Sequence, residues 1–198
     1  MSSSADMLKN ACDEAYDKNL KSCSNAVWDV IRAIVNPNET YRVANALLDH
    51  MASNWKSVNL EDGFALANDG VVVVDGAKVE GGHGHVIVIY PGTKIMNGGY
   101  QYFYKAGNKH LTLKGTKLLP RCLSTSIGDW PGAKSKGDKT VWDPWGNDAK
   151  FSAVKFYTPK TTSGTGGPIV PPNRRTDGTR SRRLLIRQVA WNLLRLRQ

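Results

Sequence analysis

The spacing of apolar residues changes once along this chain, near Trp55, and that change limits the folds it can adopt. Before Trp55, apolar residues recur at helical spacing in three segments, at residues 5–18, at residues 23–35, and from about residue 38 to residue 51. After Trp55, short β-branched and aromatic runs predict strands at residues 70–76, 85–90, 100–105 and 153–157. Turn-forming residues at 90–92 and 106–108 predict short connections between strands. Helices that precede an antiparallel sheet indicate an α+β fold rather than an alternating α/β fold.

The positive charge of the chain is concentrated at its C-terminal end. The formal net charge is +10, and residues 161–198, with eight arginines and one aspartate, account for +7 of it. The stretch TTSGTGGPIVPPN predicts a linker, and SRRLLIRQVAWNLLRLRQ has the pattern of a basic amphipathic helix. We therefore predict a domain at residues 1–160, followed by a linker and an arginine-rich tail at residues 161–198. The tail is an anchor for an anionic partner, a packing helix, or an extension without a native role, and the domain itself is not expected to bind nucleic acid.

The chain carries no sequence signal for a membrane span or a conventional leader. It has no run of 18 or more apolar residues, and its first residues lack a basic segment followed by an apolar one. We therefore expect neither a membrane span nor a conventional signal peptide. The three cysteines are an odd number, so at least one thiol is expected to be free.

Cys23 occupies an unusual position, between two serines at the start of the second predicted helix, LKSCSNAVWDVIRAIV. The positive end of a helix dipole favours a thiolate, and the free N–H groups of the first turn can bind an oxyanion. Cys23 is thus a candidate nucleophile that brings part of its own oxyanion site. The alternative is a buried cysteine that acts as a small apolar residue.

A base for this thiol must come from the four histidines of the chain. His85 opens an apolar strand after the glycine-rich stretch EGGHG, where its imidazole can reach a thiol at a helix start, and His83 points to the same side of an extended chain. His50 and His110 are expected to be structural or surface residues. A zinc site built from His83, His85 and a cysteine is the alternative, but it lacks a convincing fourth ligand, so we expect no metal and no cofactor.

Several segments of the chain carry a resemblance to a known family. In order, they are LKNACDEAYDKN, SCSNAVWDVIRAI, VANALLDHMASNW and GHVIVIYPG, followed by RCLSTSIGDWPG and KTVWDPWGNDAKFSAVKFY. Across residues 5–158 the chain resembles the NlpC/P60 superfamily of papain-like amidases, and within it the type VI secretion system effectors that cleave peptidoglycan peptides. The resemblance implies a papain-like NlpC/P60 fold with N-terminal helices packed on an antiparallel β-sheet.

The resemblance also implies roles for particular residues. Cys23 matches the nucleophile, and His85 matches the general base. Ser124 takes the third position, which orients the base, and His83 is the alternative for that role. Three aromatic residues are expected to help bind the peptide, with packing at the sheet edge as the alternative: Trp130, Trp142 and Trp145.

By the same resemblance, the chain is an antibacterial toxin that hydrolyses stem or crosslink amide bonds of peptidoglycan. It is expected to be made in the cytoplasm, to be secreted without a signal peptide by the type VI secretion machinery, and to act in the periplasm of a target cell. A cognate immunity protein is the expected partner. In that oxidising compartment Cys12 and Cys122 can pair as a disulfide while Cys23 stays free. The alternatives are a housekeeping cell-wall endopeptidase of the same fold and a nonenzymatic binding module that uses the basic tail.

Overall fold

A computed structural model of the protein describes residues 2–160, which contain five α-helices and eight strands. None of the helices in this range combines the length and the apolar character needed to cross a membrane. The linker and the arginine-rich tail predicted at residues 161–198 lie outside the described residues.

Three amphipathic helices form the N-terminal part, in agreement with the apolar spacing: α1 (Ser4–Lys18), α2 (Cys23–Ile34) and α3 (Ala44–Asn54). The start of α3 differs from the prediction near residue 38. The side chain of Asn36 accepts a hydrogen bond from the N–H of Asn38 in a tight turn, and the helix begins only after Val43. Val43, which lies within the predicted helical segment, is therefore the N-terminal cap of α3 and is 56% exposed.

The remaining elements build an antiparallel sheet with two further helices. They are β1 (Lys56–Val58), α4 (Leu60–Asn68), β2 (Val74–Ala77), β3 (His85–Met96), β4 (Gln101–Tyr104), β5 (Lys109–Thr112), β6 (Leu118–Ser124), β7 (Ser135–Thr140), α5 (Asp148–Phe151) and β8 (Lys155–Thr158). Six strands form one sheet in the order β1-β8-β2-β3-β6-β7, and β4 and β5 form a separate hairpin. All the strand pairs are antiparallel. The predicted α+β class is confirmed.

Of the two predicted turns, one is confirmed and one is wrong. A 3₁₀ turn at Lys105–Gly107, followed by Asn108 with a φ of +46°, joins β4 to β5. The sequence around Pro91, in contrast, lies inside β3, where the pairing with β6 shifts register between Tyr90 and Ile95. The predicted turn is thus a bulge in a long strand.

The sheet buries apolar side chains on both faces. Along β3, Val86 and Val88 pack with helices α1, α2 and α3, whereas Ile87 and Ile89 pack on the opposite face, beside α4. This alternation follows from the two-residue period of a strand. Burying each such side chain stabilises the fold by about 1.5–3 kcal/mol, so the N-terminal half of β3 is held firmly. His85 is the residue that opens this strand.

Candidate active site

The first residues of α2 and of β3 line one cleft of about 840 Å³. Segments at residues 41–45, 126–133 and 144–150 complete its walls. Five of the residues singled out in the sequence line this cleft: Cys23, His83, His85, Trp130 and Trp145. The structure thus brings a helix-start thiol and a strand-start imidazole to one concave surface.

Cys23 is the first residue of α2 and is half-buried. Ser22 caps the helix, because its hydroxyl accepts a hydrogen bond from the N–H of Asn25 at 3.4 Å. The N–H of Cys23 belongs to the first turn, whose N–H groups have no acceptor within the helix. The thiol lies 4.0 Å from the hydroxyl of Ser24, and no hydrogen bond among residues 2–160 joins it to His85. Hydrogen bonds between a nucleophile and its base are often long before substrate binds.

His85 is oriented by Ser124, which lies on β6 and is buried. The Nε2 atom of His85 is 3.0 Å from Ser124 Oγ, and Ser124 Oγ donates to the carbonyl oxygen of Ala133 at 2.8 Å. A hydroxyl has one proton to donate, so Ser124 must accept the Nε2–H of His85. The lone pair of the neutral imidazole therefore resides on Nδ1, the nitrogen that remains available to act as a base.

Trp145 packs against the imidazole of His85. The two rings meet edge to face, with centroids 5.4 Å apart, and the indole N–H of Trp145 donates to the carbonyl oxygen of Val141. Trp145, predicted to bind substrate, therefore both lines the cleft and covers the imidazole of His85. The surrounding burial lowers the pKa of His85 to about 4, so the imidazole is neutral near pH 7.

This burial makes the stability of the protein depend on pH. In the unfolded chain His85 binds a proton below its ordinary pKa of 6.5, whereas in the folded chain it does so only below about 4. Protonation therefore favours unfolding between these values, and the free energy of unfolding falls by about 3 kcal/mol as the pH drops from 6.5 to 4. Urea unfolding at several pH values, compared with His85→Gln, measures this. The free energy of unfolding of His85→Gln should lack the part of the fall that comes from protonation of His85. An equal fall in the free energy of unfolding of both proteins between pH 6.5 and pH 4 would contradict the prediction.

His83, the alternative for the orienting role, lies in the loop before β3. It lines the cleft and is exposed, and no hydrogen bond joins it to His85 among the described residues. Ser124, in contrast, holds His85 directly. The geometry therefore favours Ser124 as the positioning residue.

Replacing Ser124 by alanine should lower the kcat of the amide hydrolysis that the resemblance implies by about 10- to 100-fold, the usual effect of losing a group that orients a functional side chain. Without the hydroxyl, Nε2 of His85 loses its acceptor, and the ring is free to take the wrong tautomer. Ser135→Ala is the matched control, because Ser135 is also a buried strand serine, and its hydroxyl bonds the carbonyl oxygen of Cys122 rather than a histidine. Steady-state kinetics of both variants test this. An unchanged kcat in Ser124→Ala would contradict the role of Ser124 in positioning His85.

The other two tryptophans differ in their surroundings. Trp130 lines the cleft, and its indole N–H donates to the carbonyl oxygen of Asp143 at 2.7 Å. Trp142 is buried, lies outside the residues that line the cleft, and donates to Asp148 Oδ1 at 2.7 Å. The prediction that Trp142 contacts substrate is therefore corrected, because its side chain supports the segment that leads to α5.

Asp143 fixes the tryptophan-bearing wall of the cleft. One carboxylate oxygen of Asp143 accepts from the N–H of Gly98 and the hydroxyl of Tyr100, and the other accepts from the N–H and the hydroxyl of Thr140. Buried carboxylates need such partners to offset the loss of water. The only signal in the sequence is the position of this aspartate between tryptophans in WDPW.

The predicted disulfide between Cys12 and Cys122 is not formed. Cys12 packs with the helices on one face of the sheet, whereas Cys122 belongs to the cluster on the other face, so β6 and its neighbours separate the two side chains. All three cysteines are free. Burial raises the pKa of both Cys12 and Cys122 well above the ordinary value of a thiol, which leaves Cys23 as the accessible one.

Within residues 2–160, no three side chains of the His, Cys, Asp or Glu types cluster in the manner of a metal site. In comparisons with known proteins, no family model and no curated protein matches the chain.

Proposed function

We propose that this protein is a cysteine amidase of the papain-like NlpC/P60 class. The observation that carries the proposal is the hydrogen-bonded series from Ala133 through Ser124 to His85, which leaves Nδ1 of His85 unprotonated in the cleft that Cys23 lines. A nucleophile, a base and a group that orients the base are the parts that covalent acyl transfer requires. The resemblance over residues 5–158 supports the same class.

In the first half of the reaction, His85 removes the proton of the Cys23 thiol as the sulfur attacks the carbonyl carbon of a substrate amide. The new C–S bond places negative charge on the carbonyl oxygen, and the backbone N–H of Cys23 stabilises it. His85 then gives the proton to the amide nitrogen, the C–N bond breaks, and the amine leaves. The product is a thioester on Cys23.

In the second half, His85 takes a proton from water, and the resulting hydroxide attacks the thioester carbon. The C–S bond breaks, the carboxylic acid leaves, and the proton returns to the sulfur of Cys23. A neutral imidazole is needed at the start of each half, and the low pKa of His85 supplies that form at neutral pH.

The proposed substrates are stem or crosslink amide bonds of peptidoglycan. The cleft volume of about 840 Å³ is in the range that binding sites for ligands of this size occupy. The resemblance to type VI secretion effectors supports a role as an antibacterial toxin. In this role the secretion machinery delivers the protein to the periplasm of a target cell, and an immunity protein inhibits it in the producing cell.

Expression in a susceptible bacterial host tests the toxin role. With a cleavable leader that directs the chain to the periplasm, wild type should stop growth and cause lysis, because its substrate lies there. The same chain kept in the cytoplasm, and the periplasmic Cys23→Ala variant, should be harmless. Normal growth with active wild-type protein in the periplasm would contradict the toxin role and favour the housekeeping endopeptidase.

A further inference from the structure

The side chains that line the cleft around Cys23 include positively charged groups and no carboxylates. Lys21, which precedes the cap of α2, and Lys150, which lies on α5, are both exposed and both line it. The residues that line the cleft include two histidines as well, and none of them is an aspartate or a glutamate.

Neither lysine is neutralised by a carboxylate within residues 2–160, whereas other lysines of the domain are. Lys78, Lys94 and Lys136, for example, each contact a carboxylate within 2.7 Å. Asp148, two residues before Lys150, is occupied by Lys117 and by the indole of Trp142, each at 2.7 Å. The charges of Lys21 and Lys150 therefore act on whatever enters the cleft. Charges of one sign along a concave wall concentrate ligands of the opposite sign.

We infer that the cleft selects substrates that carry free carboxylates next to the scissile amide, with Lys21 and Lys150 as the groups that attract and hold them. This inference rests on the proposed function, because it names the substrate chemistry of the same site. An ammonium group on a flexible stem suits this task, since it can follow a carboxylate whose position differs among peptides.

The charge of the cleft can be measured without any substrate, by alkylating Cys23. The thiolate displaces iodide from either iodoacetate or iodoacetamide, forming one C–S bond and releasing iodide in each case. The two reagents meet the same thiolate and differ chiefly in charge, so the ratio of their rates reports the local potential. Cys12 and Cys122 are buried, so alkylation of the folded protein reports on Cys23.

Lys21→Gln and Lys150→Gln should each lower the iodoacetate-to-iodoacetamide ratio about twofold, the order of magnitude for one unit charge that acts through water. The double variant should lower it about fourfold, and high salt should remove most of the difference. Lys114→Gln is the matched control, because Lys114 is exposed, lies outside the cleft, and its loss changes the net charge equally. An unchanged ratio in the cleft variants, or an equal fall in Lys114→Gln, would overturn the inference.

Muropeptides with free or amidated carboxylates test the selection itself. Wild type should cleave the free form with the higher kcat/KM, and the Lys21→Gln/Lys150→Gln variant should lose most of that preference through a raised KM. Equal cleavage of both forms by wild type would overturn the inference, even where the alkylation ratios shift. Shifted ratios with no cleavage of any muropeptide would instead overturn the proposed function and leave the measured charge of the cleft in place.

Discussion

Replacing Cys23 by alanine is expected to lower the rate of amide hydrolysis by about 10⁴-fold or more, since the covalent route is lost with its nucleophile. Water would then have to attack the amide directly, aided only by the remaining N–H groups and by binding. Initial rates on isolated muropeptides measure this effect. The half-buried position of Cys23 predicts that the variant keeps its fold.

Cys12→Ala is the matched control for this variant. It removes the same sulfur atom from a fully buried position on α1 that does not line the cleft. We expect Cys12→Ala to lower the free energy of unfolding and to keep the rate, which is the reverse of the Cys23→Ala result. A Cys23→Ala variant that hydrolyses at the wild-type rate would rule out the thiol as nucleophile.

Replacing His85 by glutamine is expected to lower kcat/KM by about 10³-fold, within the range for loss of a general acid–base. Glutamine can still donate a hydrogen bond to Ser124, but it cannot take the thiol proton. For wild type, kcat/KM should fall as the pH drops through about 4, because protonation removes the base from the imidazole. Rates measured from pH 3 to pH 8 test both statements.

His83→Gln separates the two neighbouring histidines. Because His83 is exposed and has no hydrogen bond to His85 among the described residues, its replacement should change kcat/KM by less than about tenfold. A fall in kcat/KM as large as that of His85→Gln would indicate that His83, rather than His85, is the base. A wild-type profile without an acid limb near pH 4 would contradict the assignment of His85 as a half-buried, neutral base.

The sequence predicted those parts of the fold and site that depend on local patterns. The helical spacing in α2 and the serine before Cys23 place the thiol at a helix start, and the valine and isoleucine run after His85 marks a buried strand. Both signals come from neighbours along the chain. The α+β class followed from the same periodicities.

Other features depended on contacts between distant segments and were not predicted. Helix α4 contains Gly63, which weakens its helical pattern, yet a Cβ there would lie 3.1 Å from Ile89 and 3.2 Å from Val73, so close packing on the sheet explains the glycine. Pairing with β6 likewise overrode the turn signal at Pro91. Asp75 follows a valine run, and no pattern indicated that it is fully buried, where burial raises its pKa well above the ordinary value.

The hydrogen bond between His85 and Ser124 joins residues 39 positions apart in the sequence. No local rule predicts such a contact, and Ser124 was placed by resemblance alone. The disulfide prediction was wrong for a related reason, because the sequence does not reveal that Cys12 and Cys122 face opposite sides of the sheet.

Digestion of purified peptidoglycan by the full chain, with the released fragments separated and weighed by mass spectrometry, tests the central claim most directly. The account predicts new fragments whose masses correspond to hydrolysis of one stem or crosslink amide, with wild type and Ser135→Ala but not with Cys23→Ala or His85→Gln. Unchanged muropeptides after treatment with folded wild-type protein would contradict it.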